Sequence, residues 1–399
     1  MGIIDVIDIR KWSLLETMFV LYLVVSGWTL SPIPVYLWWA VLMDIAAYMR
    51  HRFIPKRIPI LYKVLFWFIM VHQFLWIFVV NGLTSTYFNA WFSMAITMGS
   101  VFFIAPVLNY EKLKSPFIAI AILSIIGLLY QLLLLSRGVP IGQLTIPPFS
   151  GPTDISDKNI IDLIRPSSFF SEPANYCGFM LVPLFLSLLD KKYIATFIII
   201  ASMLFTTSTT GLVLSFLMLG VYFLTQKVPF RLKLVVIIGT IIIGLALTMT
   251  DVFQDTMSKA EKTDLSENER TSIGFTILPQ LEIQEILLGI PYANISDMYN
   301  AGRLKVESFT WYNESGKTVV FVPTFWNILF VFGIFGLIIY LSVYTSLFRK
   351  SRLMLPYSII IVALMFSDPT AVGASHLFEI CFMMSFIRWE QAAKQLKKI

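Results

Sequence analysis

The sequence predicts an all-α polytopic membrane protein of about 12 transmembrane helices, with two large loops on one face. Three observations predict it. Hydrophobic residues make up 57% of the 399 residues and charged ones only 14%, far from the balance of a soluble domain. Several apolar runs exceed the roughly 18 residues that cross a bilayer. The basic residues, finally, crowd into alternate short connections, the pattern set by membrane insertion.

Taken in order, the apolar runs place spans at 12–30, 34–49, 60–80, 90–108, 117–136, 174–189, 193–207, 211–225, 234–250, 321–346, 353–367 and 374–388. With both termini cytoplasmic, 21 of the 30 Lys and Arg fall in the tails and short loops on the inside. The net charge of +6 is then a consequence of topology and not a nucleic-acid-binding surface. Trp28, Trp38, Trp39 and Trp91 read as anchors at the membrane–water boundary. Cys177 and Cys381 fall at or inside spans, and two cysteines build neither a disulfide framework nor a metal site. The chain reads as one integral domain, 1–399.

Two outer connections are long, and long loops in a compact protein are usually functional. The first, 137–173, is rich in Pro and Gly and ends in Arg165-Pro-Ser-Ser-Phe-Phe-Ser-Glu172-Pro-Ala-Asn-Tyr-Cys-Gly178. Pro166 biases Arg165 towards extended backbone. Pro173 suits the first turn of a helix, with Ser171 or Glu172 as its cap. The second loop, 251–321, holds a capping-box pattern at Ser266–Glu269. An amphipathic helix is expected near 267–288, with Ile273, Ile277 and Leu281 on one face, a kink at Pro279 and a stop at Gly289. Between the seventh and eighth spans, Thr206-Thr-Ser-Thr-Thr-Gly211 is either a polar dent in the bundle or a plain tight hairpin.

Arg165 and Arg270 are the first site candidates. A guanidinium presents a planar fork that is never deprotonated, so two converging arginines suit a diphosphate; the alternative is ordinary loop arginines at lipid headgroups. Glu172 is a candidate base for a sugar hydroxyl or an orienting partner of Arg165, set against a plain first-turn glutamate. His376, with Glu379 and Asp368, lies around the last outer turn, and it is a candidate base set against a structural interfacial histidine. Asp44 in the second span is ambiguous in the same way. Arg303, Lys305 and Lys317 are further outer cations. No metal-site, nucleotide-loop, dinucleotide or serine-hydrolase motif is present, and the short inside loops leave no cytosolic domain for a nucleotide.

The stretch from Arg165 to Tyr176, followed by an apolar span and then Ser208-Thr-Thr-Gly211, resembles the O-antigen and exopolysaccharide polymerase (Wzy) family, which is related to the O-antigen ligases. The motif covers some 45 residues. The resemblance implies a GT-C-like glycosyltransferase of the bacterial inner membrane with periplasmic loops 137–173 and 251–321. It also implies transfer of a glycan from undecaprenyl diphosphate to a new lipid-linked oligosaccharide repeat, with neither nucleotide sugar nor metal nor cofactor. A chain-length-determining membrane protein is the further partner it implies. Arg165 and Arg270 would hold the donor diphosphate, and Glu172 matches the Glu-Pro of the first loop. The family's Arg-x10-Gly spacing is not kept. Neither large loop contains a histidine, which disfavours the ligase alternative and leaves the base unassigned, with His376 a candidate substitute. A flippase of the same lipid-linked substrate is the non-enzymatic alternative; dissimilar halves and ionisable residues concentrated outside the spans speak against it.

Overall fold

A computed structural model describes residues 12–30, 33–51, 57–80, 84–150, 165–226, 229, 231, 234, 238, 269–291, 294–306, 310–312, 318–367 and 372–396. The ninth expected span (234–250), the Ser266–Asn268 part of the expected capping box, Asp368, Lys317 and parts of both long loops lie outside them.

The protein is mostly helical. In chain order come α1 (Leu14–Val25), a two-residue ribbon β1 (Thr29–Leu30) and β2 (Ile33–Pro34), α2 (Val35–His51), α3 (Ile60–Phe74, extended as π-helix over Leu75–Val80), α4 (Ser85–Ile104) and α5 (Tyr110–Ser136). Next are α6 (Pro173–Leu189), α7 (Tyr193–Phe205) and α8 (Thr209–Thr225). The second long loop contributes α9 (Glu269–Ile277), α10 (Ile283–Leu288), α11 (Asn294–Asn300) and the hairpin β3 (Thr310–Tyr312) and β4 (Thr318–Val320). The chain continues with α12 (Thr324–Phe348), α13 (Leu355–Ser367) and α14 (Ala374–Leu396). Both ribbons are antiparallel, the second pairing Thr310 with Val320 and Tyr312 with Thr318.

Four helices among the described residues are long and apolar enough to cross a membrane: Ile60–Phe78, Ser85–Ile104, Tyr110–Ser136 and Thr324–Phe348. Shorter apolar helices stand at Leu14–Val25, Pro173–Leu189, Tyr193–Phe205, Val213–Thr225 and Leu355–Ser367. Large apolar side chains stay exposed on the long helices: Leu123, Ile126 and Leu129 on α5, Trp67 and Val71 on α3. Such faces are satisfied by lipid, and the fold fits an all-α membrane protein.

The chain divides into two compact units, each drawn from separate stretches. The first holds α1, the first ribbon, nearly all of α5, and α6–α8. Here α6 packs on both α7 and α8. Pro173 opens α6 as expected, its missing N–H falling where the helix has no acceptor. Glu172 occupies the N-cap position, but its side chain makes no capping bond. A tight turn through Thr206–Ser208 joins α7 to α8, and the Ser208 hydroxyl accepts from the Gly211 amide at 3.2 Å. The turn is tight, and its Thr206 and Ser208 are buried. At the other end of the unit Lys114 of α5 lies 3.6 Å from Asp190, just past α6.

The second unit is built on α3, α4, α12 and α14, with the second long loop folded at one end. Tyr87 in the first turn of α4 donates towards Asn294 Oδ1 (3.2 Å) and Asp297 Oδ2 (3.1 Å) of α11. The expected single loop helix is broken at Pro279: α9 ends at Ile277, a 3-10 turn spans Leu278–Gln280, and α10 follows. Ile273, Ile277 and Leu281 are all buried, and Gly289 stops α10 with φ 80°. A capping box forms at Glu282 and Glu285. Arg303 lies 2.8 Å from Glu285 and 3.4 Å from Glu282, so this outer cation is spent on its own loop.

Helix α12 is interrupted at Gly333 (φ 67°, ψ −176°). The break releases carbonyls that an intact helix would use, and two neighbours claim them. The Ile290 amide donates to Phe330 O at 2.9 Å, and Gln73 Nε2 to Val331 O at 3.4 Å. His72 Nε2 of α3 lies against the Leu288 carbonyl and the Trp76 indole, and its Nδ1 lies 3.1 Å from Gln73 Nε2. A β-carbon at Gly289 would overlap the Val331 carbonyl, and one at Gly333 would overlap that of Leu287. The tip of the second loop is thus seated in the broken helix, backbone against backbone. Irregular backbone at membrane depth persists only when protein satisfies it in this way.

Candidate active site around Arg165

The loop ending in Arg165–Glu172 is held from several sides within the first unit. Gln131, in the last third of α5 and 1% exposed, is its main clasp. Its Oε1 accepts from the amides of Ser167 (3.0 Å) and Ser168 (2.6 Å), while Nε2 donates to Gly142 O at 2.7 Å. Ser168 adopts φ 57°, and its carbonyl accepts from the Leu144 amide at 2.9 Å. The Phe169 carbonyl accepts from Gln143 Nε2 (2.8 Å) and from the Trp28 indole (3.1 Å). Trp28, expected at the membrane boundary, is instead buried against this loop, because its N–H has a carbonyl to serve there. Ser167 Oγ closes the turn on Phe170 O at 2.8 Å.

This clasp sets the direction of Arg165. Its side chain is half-buried and donates Nε to Thr207 Oγ1 at 3.2 Å and Nη2 to Thr207 O at 2.7 Å. Thr207 is the middle of the α7–α8 hairpin and has φ 54°. A β-branched residue in the left-handed region is rare and costs of order 1–3 kcal/mol, so it persists only where the surroundings fix it. Arg165 is part of what fixes it. Beside them, Cys177 Sγ lies 3.4 Å from Thr206 Oγ1. A β-carbon at Gly211 would strike that cysteine, so glycine is what allows α8 to start so close to α6. The two halves of the sequence motif, Arg165–Gly178 and Ser208–Gly211, therefore form one cluster, through Cys177 against Gly211 and through Arg165 on the adjoining Thr207.

The other candidates fall elsewhere. Glu172 is exposed at the head of α6. Arg270 belongs to the second unit, in the first turn of α9. His376 belongs to the second unit too, in the first turn of α14 just after the turn at Val372–Gly373, but it is buried rather than at a surface. Its ring stacks on Tyr62 (centroids 5.9 Å) and Tyr340 (5.6 Å), and it is 1% exposed. Tyr344 donates to Glu379 Oε2 at 2.8 Å and so accepts from His376 Nδ1, 3.1 Å away. Tyr62 lies ten residues before His72, about 15 Å along α3 from the seated loop tip. His376 is therefore deep in the bundle, towards the far end from the second long loop. The cause is the depth at which α14 begins: Val372 O accepts from Thr97 at 3.0 Å, halfway along α4. Asp44 is partly buried and accepts from Ser100 at 2.7 Å.

Gln131 is not singled out by the sequence analysis, and Thr207 enters it only as one of the run Thr206–Gly211. A lone glutamine in the apolar run 117–136 is the signal that would have found the first. Among the described residues, no group of three or more His, Cys, Asp or Glu is placed to hold a metal ion. No protein-family model matches the chain, and no curated protein does.

Proposed function

We propose that the chain is a glycosyltransferase of the bacterial inner membrane that polymerises undecaprenyl-diphosphate-linked oligosaccharide repeats at the periplasmic face. The observation that carries this reading is the Arg165 guanidinium, held half-buried by a side chain and a carbonyl at the end of α6 opposite Lys114 and Asp190. A fork fixed in this way is preorganised for phosphate oxygens, and electrostatic preorganisation is usually the largest single contribution to such chemistry. The basic connections then face the cytoplasm, the chain has twelve spans and a GT-C-like plan, and both long loops are periplasmic. Glu172 serves as base or as a contact to the acceptor sugar, and Arg270, in the other unit, is a further candidate for a phosphate. His376 takes no part, because its buried position is remote from the loop layer of its own unit.

The test is the surface-polysaccharide gel profile of cells lacking the gene, complemented with wild type or Arg165→Lys. Single-repeat capping in place of a ladder, restored by wild type but not by Arg165→Lys, is the expected result. Accumulated lipid-linked polymer would assign ligation instead. A normal ladder from Arg165→Lys would remove the clamp.

A further inference from the structure

In the second unit, α12 and the start of α3 enclose a groove of about 520 Å³. It has the volume of a small-molecule site. It is lined by Leu61 of α3, by Ile338, Leu341, Ser342, Thr345 and Ser346 of α12, and by Arg349 at the C-cap of α12. Both serines turn their hydrogens inward: Ser342 Oγ donates to Ile338 O at 2.7 Å and Ser346 Oγ to Val343 O at 2.8 Å. Neither serine therefore strands a polar hydrogen against a hydrocarbon chain lying in the groove. Ile338 is 56% exposed and lies on one of the four helices long enough to cross a membrane. The chemistry changes at Arg349, exposed where α12 ends and followed by Lys350 and Arg352.

An apolar groove of this size with an exposed guanidinium in its lining matches a lipid with an anionic headgroup. We infer that the groove binds an anionic glycerophospholipid, one acyl chain along Leu61, Ile338 and Leu341 and the phosphate on Arg349. The site does not depend on the proposed glycosyl transfer, since it uses none of the residues placed in that reaction.

Native mass spectrometry of the purified full-length protein, titrated with phosphatidylglycerol or phosphatidylcholine vesicle lipid, tests this. Wild type should retain phosphatidylglycerol in preference. Arg349→Gln should weaken that retention about fivefold, the effect of one cation near a lipid surface. Arg352→Gln should change it little, because that residue lies outside the groove. The double variant Ser342→Leu with Ser346→Leu keeps every charge but fills the groove, and it too should lose the bound lipid. Equal retention of both lipids by wild type would overturn the inference. So would an Arg352→Gln loss matching that of Arg349→Gln, or a filled groove that still holds phosphatidylglycerol. If Arg349→Gln is not monodisperse, Arg349→Lys, expected to keep most of the preference, and the filled-groove variant decide the matter.

Discussion

Thr207 carries two roles that substitution can separate. Its left-handed backbone is costly for a β-branched side chain, whereas its hydroxyl and carbonyl both serve Arg165. Thr207→Gly removes the conformational cost and keeps the carbonyl, so its melting temperature in detergent should stay near wild type. Thr207→Val keeps the cost and removes an acceptor from a half-buried guanidinium, a loss of about 1–3 kcal/mol. A Val variant as stable as wild type would deny the hydroxyl any part in holding the arginine. Arg165 itself was legible in the sequence as a charge at a loop–helix junction. Its partner was not, because nothing in a run of threonines says which one will turn left-handed.

At the scale of elements, the first long loop depends on α5 through one side chain. Gln131→Leu leaves two buried amides without an acceptor and should destabilise the protein by at least about 2 kcal/mol. Limited proteolysis should then cut faster between residues 138 and 172, while Gln131→Glu, which keeps the acceptor, should resist better. Unchanged cleavage in the Leu variant would mean the loop is held by its other contacts. The helices themselves were legible: Pro173 starts α6, and Gly289 ends α10, as their residue types require. The amphipathic stripe Ile273–Ile277–Leu281 was read with its buried face correct, although Pro279 divides the helix it was drawn on. What sequence periodicity could not supply was depth. His376 reads as a residue of the last outer turn because it follows a polar, Pro- and Gly-containing break between two apolar runs. Yet α14 begins halfway along α4, and the histidine comes to lie among tyrosines.

For the whole molecule, the charge pattern makes a prediction that labelling can check. Both native cysteines are buried, so engineered ones can be read against a low background. In intact spheroplasts Ala301→Cys, on the second long loop, should react with an impermeant maleimide. Gln391→Cys, near the end of α14, should react only after lysis. The opposite pattern would invert the topology and with it the proposed periplasmic chemistry. Four long apolar helices and several short ones make the membrane assignment plain, but length alone does not say how many of the short helices cross.

The contact between Gly289 and Gly333 has a consequence for how this sequence can vary. Each glycine has a positive φ, and each excludes a β-carbon because the other segment's backbone lies against it. Two positions far apart in the chain thus behave as one heritable character. A substitution at either should be tolerated only in a lineage that has withdrawn the loop tip from the helix, and there the constraint on the other lapses as well. Among homologues the pair should be kept or abandoned together.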